Sequence, residues 1–122
     1  MSNILVIDDD RQVLNVVQEM LRMDGHKVGT AEDGDIALAL FREQPFDLVI
    51  TDLIMPEKEG LETIAEIRAI KQDVPIIAMS GGGRIGPMDY LDTAKYIGAS
   101  STLAKPFTRN ELSKAVNDLL NL

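Results

Sequence analysis

The chain has 122 residues, enough to bury one hydrophobic core and too few for two comfortable ones. A formal charge of -8 argues against a surface built for nucleic-acid or anionic-lipid phosphates, which needs clustered Lys and Arg. The lack of cysteine excludes disulfides, thiolate metal sites and a cysteine nucleophile. The apolar stretch Ile4 to Ile7, cut off by Asp8-Asp9-Asp10, is far too short for a signal peptide or a membrane span, so a single unit over residues 1–122 in a reducing cytoplasm is expected.

In chain order, Ile4 to Ile7 predicts a first strand, and Val13, Val16, Val17, Met20 and Leu21 recur at helical spacing up to Gly25. Gly25-His26 turns the chain into a short second strand, Lys27 to Ala31, and His26 is expected at the surface of that turn without a role. Asp33 caps a second helix carrying Ile36, Leu40 and Phe41, which Pro45 closes. Leu48 to Ile50 is an unbroken apolar run leading into Asp52, the habit of a strand buried on both faces. After a loop over Pro56 to Gly60, a third helix shows Leu61, Ile64, Ala65 and Ile67. Ile76 to Met79 is the fourth strand, ending in Ser80 and the glycines Gly81, Gly82 and Gly83. A fourth helix carries Leu91, Ala94 and Ile97 up to Gly98. A short fifth strand around Thr102 to Ala104 runs into Lys105-Pro106, and Thr108-Arg109-Asn110-Glu111 reads as a capping box for a fifth helix with Leu112, Val116 and Leu119.

Five strands alternating with five helices predict a doubly wound α/β sheet with right-handed crossovers. In such sheets chemistry gathers at the carboxyl rim of the strands. Here four strands deliver Asp8-Asp9, Asp52, Ser80 and Lys105 to that rim. Crowded carboxylates repel, and a hard divalent cation with oxygen ligands relieves them. Mg²⁺ fits, because it commonly bridges carboxylates to a phosphoryl group. Lys105 then serves as a cation for phosphoryl oxygens and Ser80 as a neutral donor. With no cysteine and one histidine placed in a turn, attack on phosphorus falls to a carboxylate, and Asp52 is the choice at the end of the central strand.

Asp8-Asp9, Asp52 followed by Met55-Pro56 and Gly60, Ser80, and Lys105-Pro106-Phe107 together resemble the receiver domain of two-component response regulators, including the single-domain chemotaxis type. The resemblance implies a flavodoxin-like five-stranded parallel sheet in the order 2-1-3-4-5. It implies Asp52 as phospho-acceptor, and Mg²⁺ held by Asp9, Asp52 and the backbone carbonyl of Ile54, with Asp8 acting largely through water. Lys105 would pair with the phosphoryl group, Ser80 would bond to it, and the Lys105-Pro106 peptide would be cis. The partners implied are a sensor histidine kinase or phosphotransfer protein, docking at the first helix and the loops around Asp52. A downstream protein would meet the face of the fourth helix, fifth strand and fifth helix, with no direct nucleic-acid or membrane contact and with a monomer or weak dimer as the assembly. The domain would catalyse only its own phosphorylation and dephosphorylation.

Some positions depart from that family's pattern. Thr102 stands where an aromatic usually pairs with the hydroxyl as a switch, so Ser80 and Thr102 form an incomplete pair. Ile54 and Gly82 hold the positions that tune attack by water, and neither can orient one, so slow self-dephosphorylation is expected. The competing enzyme reading is a Mg²⁺-dependent phosphohydrolase of the aspartyl-phosphate type, which normally carries a second acid where Ile54 stands. A dinucleotide site at Gly81 to Gly86 fails on context, because the glycines follow the fourth strand and Pro87 interrupts them.

Overall fold

The computed structural model describes residues 2–53, 60–81 and 98–120. Its elements are β1 (Asn3–Ile7), α1 (Arg11–Met23), β2 (Lys27–Ala31), α2 (Gly34–Glu43), β3 (Leu48–Asp52), α3 (Gly60–Ile70), β4 (Ile76–Gly81), β5 (Ser101–Lys105) and α4 (Arg109–Leu120), which corresponds to the fifth predicted helix. The five strands are all parallel in the order β2-β1-β3-β4-β5, as the resemblance implied. Four helices lie among the described residues, and the helix expected over residues 91–97 lies outside them, as do Ile54, Met55-Pro56 and Gly82. No described helix is long and apolar enough to cross a membrane.

Alternation along the strands sorts the interior into two apolar clusters. Leu5, Ile7, Val49, Ile76 and Ala78 pack with Ala37, Leu38 and Phe41 of α2 and with Ile64 and Ile67 of α3. Ile4, Val6, Leu48, Ile50, Ile77 and Met79 pack with Leu14, Val17 and Leu21 of α1 and with Leu112 and Val116 of α4. All five residues of β3 are buried, as expected of the middle strand.

The helix starts behave as expected. The Asp10 carboxylate accepts from the amide of Gln12, and Asp33 accepts from the amide of Ile36. Thr108 and Glu111 cap reciprocally: the Thr108 amide donates to Glu111 Oε1 at 2.9 Å, and the Glu111 amide to Thr108 Oγ1 at 3.1 Å. The predicted stripes are buried at Val17, Leu21, Phe41, Ile64, Ile67, Leu112 and Val116, and a few members depart from them. Ile36 is 48% exposed while its neighbours Ala37 and Leu38 are buried, and Val16 is 52% exposed while Leu14 and Val17 are buried. Ala65 is exposed and Thr63 buried. Side-chain periodicity gives a helix its stripe, but contact with the sheet selects its phase. His26 is a correction of another kind. It is 7% exposed, because the turn tucks it under α1, where its amide donates to the carbonyl of Leu21.

At the amino edge of the sheet the Arg68 guanidinium ties three segments together. It donates to the carbonyls of Val74 and Gly98 and to Ser100 Oγ at 3.3 Å, and that hydroxyl accepts from the amide of Ile76. Burial holds its pKa below the usual arginine value, and the carbonyls have no substitute donor on the same side chain if it is shortened. Arg68→Met is therefore expected to lower unfolding free energy by about 1–3 kcal/mol, read as a shift in urea midpoint at unchanged slope.

Candidate functional site

Register brings the chemistry together. Ile7 of β1 pairs with Thr51 of β3, so the next residues, Asp8 just past β1 and Asp52 at the end of β3, stand side by side at the rim. Asp52 pairs with Met79 of β4, which puts Ser80 one step beyond it, and Gly81 pairs with Lys105 of β5. These four strands thus end on a candidate site residue or within one residue of it. Most of the polar ends are strand residues themselves: backbone pairing continues through Asp52, Ser80 and Lys105, one or two positions past the apolar runs.

The Lys105 ammonium lies 2.6 Å from Asp8 Oδ2 and 3.1 Å from Asp52 Oδ1. Asp8 Oδ1 accepts from the amide of Asp10 at 2.9 Å. Asp8, Asp9 and Asp52 each present a carboxylate oxygen within 4.8 Å of the others. Asp8 and Asp52 are buried, Asp9 is exposed and Ser80 is buried. Burial pushes the Asp52 carboxyl up to about 6, the Lys105 ammonium pulls it down, and the charges of Asp8 and Asp9 push it up again. Asp9 is likewise raised, by partial burial and then by Asp8. Burial disfavours the Lys105 ammonium, yet the hydrogen bond to Asp8 and the charge of Asp52 outweigh it, so that its pKa is raised. The carboxylate of Asp52 is therefore held charged at a cost, beside one cation. An oxygen-only set of three acids fits a hard divalent cation.

The predicted residues Asp8, Asp9, Asp52 and Lys105 are thus brought into one cluster, and Ser80 stands at the adjoining strand end. Thr102 is half-buried in β5, paired with Ala78, two residues further from the rim than Ser80. Ile54, expected to offer its carbonyl, lies outside the described residues. The Lys105-Pro106 peptide is cis. Sequence reasoning missed a groove. A cavity of about 480 Å³ opens between α1 and the residues after β5, walled chiefly by Val13, Val16, Val17, Met20 and Phe107 and reaching Lys105. The signal was present as a surplus: α1 carries more apolar residues than one core stripe uses.

A parallel α/β sheet that gathers three acids and an amine at its carboxyl rim defines a domain suited to phosphoryl and divalent-cation chemistry. The sequence matches the response regulator receiver domain family over residues 4–117, and the chain belongs to that family, the receivers of two-component response regulators. It is 35% identical over 120 residues to the transcriptional regulatory protein CpxR of Klebsiella pneumoniae, covering 98% of this chain and 50% of that protein. It is 29% identical over 120 residues to the response regulator SaeR of Staphylococcus aureus, covering 98% and 51%. The chain spans about half the length of the curated relatives it matches. Among solved structures, a response regulator receiver domain protein from Clostridium thermocellum superposes with a TM-score of 0.92 at 35% identity, covering 99% of this chain and 95% of that one. The response regulator TrrA from Thermotoga maritima, solved in complex with Mg(2+)-BeF, superposes with a TM-score of 0.86 at 34% identity, covering 98% and 99%.

Proposed function

We propose that residues 1–122 form one receiver unit in which Asp52 accepts a phosphoryl group from the phosphohistidine of a sensor histidine kinase or phosphotransfer protein. The observation that carries this reading is the Lys105 ammonium 3.1 Å from Asp52 Oδ1, inside a cluster that also holds Asp8 and Asp9. A carboxylate oxygen of Asp52 attacks phosphorus, the P–N bond to the donor imidazole breaks, and the imidazole leaves with the bonding pair. Burial strips water from the Asp52 carboxylate, so its charge is exposed to the incoming phosphorus rather than spent on solvent. Lys105 supplies a cation for the phosphoryl oxygens and Ser80 a hydroxyl donor. Asp8, Asp9 and Asp52, with the Ile54 carbonyl, would hold Mg²⁺, which when bound supplies charge for the phosphoryl oxygens.

Kinase docking is assigned to α1 and the adjoining groove, where Val16 and Met20 leave apolar surface beside the acid cluster. Output is assigned to β5 and α4, with Ser80 and Thr102 as the switch pair; the fourth helix expected to join them lies outside the described residues. The acidic balance supports a protein target rather than nucleic acid or membrane, and a cytoplasmic monomer or weak dimer suits it. The domain's only chemistry is its own phosphorylation and dephosphorylation.

Incubation with acetyl phosphate and Mg²⁺ followed by intact mass is expected to show one added phosphoryl group, absent in Asp52→Asn. Sustained release of many equivalents of phosphate would favour the phosphohydrolase reading instead. An unmodified wild-type chain would end the acceptor reading.

A further inference from the structure

Between Val49 and Leu53, two buried members of the cluster under α2 and α3, stands a hydroxyl. Thr51 shares their side of β3 and is fully buried, flanked by Ile7 of β1 and Ala78 of β4. For packing alone a valine would serve there, and a hydroxyl taken out of water needs a partner. That partner is the carbonyl of the next residue: Thr51 Oγ1 donates to the carbonyl oxygen of Asp52 at 3.0 Å. The other end of the same peptide unit is also held, since the amide of Leu53 donates to the carbonyl of Met79 at 3.1 Å. α3 begins against the Asp52 carbonyl, with no room for a methyl group at Gly60. The peptide plane that follows Asp52 is thus pinned through its oxygen and through its nitrogen, at the point where β3 ends.

We propose that Thr51 is a positioning residue for phosphoryl transfer: its hydroxyl fixes the peptide after Asp52 and thereby aims the acceptor carboxylate. This rests on the reading of Asp52 as acceptor. A peptide unit is rigid, so holding both of its polar ends leaves Asp52 little rotation about its Cα–C bond, and the direction of its side chain follows. From that stem the carboxylate meets the Lys105 ammonium at 3.1 Å, within the cluster that holds Asp8 and Asp9. Without the hydroxyl, the Asp52 carbonyl loses this donor while it stays pressed against the start of α3, and the peptide is free to tilt. Attack on phosphorus is sensitive to such a tilt, because reaction needs the attacking oxygen close and aligned. Thr51 touches neither the donor nor phosphorus, and its effect passes through Asp52.

Uptake from acetyl phosphate at saturating Mg²⁺, timed by intact mass, tests this in wild type, Thr51→Val, Thr51→Ser and Thr51→Ala. Thr51→Val and Thr51→Ala are expected to react about tenfold more slowly at saturating acetyl phosphate, with the half-saturating concentration unchanged, and Thr51→Ser, which keeps the hydroxyl, within about twofold of wild type. Thr51→Val at the wild-type rate overturns the proposal. So does Thr51→Ser as slow as Thr51→Ala, because a role in packing alone would follow the methyl group rather than the hydroxyl. A change confined to the half-saturating concentration also overturns it, by moving Thr51 to binding of the donor. Should Thr51→Val not fold, Thr51→Ser against Thr51→Ala carries the same comparison, since the two differ by one hydroxyl. Each of these results leaves Asp52 standing as acceptor, whereas wild type that takes up no phosphoryl group overturns both readings.

Discussion

Gly60→Ala is expected to destabilise the protein by about 3 kcal/mol or more and to disturb the acceptor site with it. Gly60 opens α3 directly against the end of β3, and its amide donates to the carbonyl of Leu53 at 2.9 Å. A methyl group built there would overlap the carbonyl oxygen of Asp52 and lie 2.5 Å from Leu53 Cα. Both are backbone atoms, which cannot rotate aside as a long side chain would. Relief requires α3 to move away from the sheet, or the strand end carrying Asp52 to move away from Asp8 and Lys105. Urea unfolding should show the loss of stability, and phosphoryl uptake from acetyl phosphate should fall in the fraction that remains folded. Gly25→Ala is the control. Gly25 has a φ of 90° with nothing within 4 Å of an added methyl, so that change should cost only about 1–2 kcal/mol of backbone strain and leave uptake unaltered. Equal effects of the two substitutions would show that the close approach at Gly60 does not matter.

Asp52→Asn is expected to stabilise the metal-free protein at neutral pH while abolishing its phosphorylation. Burial raises the Asp52 carboxyl from its ordinary 3.8 to about 6, so the folded state holds a proton that the unfolded state has lost between those values. Stability contributed by this group therefore rises as pH falls from 7 toward 4, and above about 6 the fold bears the full penalty of the charge. That penalty is up to about 3 kcal/mol, and the neutral amide removes it. The variant should unfold at higher urea than wild type at pH 7 and at nearly the same urea at pH 4. Mg²⁺ should stabilise wild type and narrow the gap, because a ligand bound only to the folded state adds stability by mass action. An Asp52→Asn protein less stable than wild type at pH 7 without metal would mean that Asp52 is held by its ion pair more strongly than burial opposes it.

Strands β1, β3 and β4 were legible because each carries an apolar run, and Asp8-Asp9, Asp52 and Ser80 because each follows one; β2 and β5 rested on the turns and proline around them. What the sequence could not supply is register. Asp8 and Lys105 are separated by 97 positions, and only the pairing of four strands makes Asp8 the closer partner of that lysine. The predicted strands also stopped short, since Thr51, Asp52 and Ser80 are polar and yet remain in the ladder. The helix stripes held at Val17, Leu21, Phe41, Ile64, Ile67, Leu112 and Val116 but not at their margins: Ile36 and Val16 are apolar at helical spacing and still face outward. For Val16 that exposure coincides with the groove beside Lys105. His26 was misplaced because a lone histidine after glycine has the composition of an open turn whether or not a helix end covers it.

The sheet keeps its two apolar clusters apart, one under α2 and α3, the other under α1 and α4. The groove assigned to kinase docking and α4 both lie over the second cluster. The α1 side therefore joins interior packing to an apolar groove that opens at Lys105, so a ligand seated there would press on the same helix that fills that half of the core.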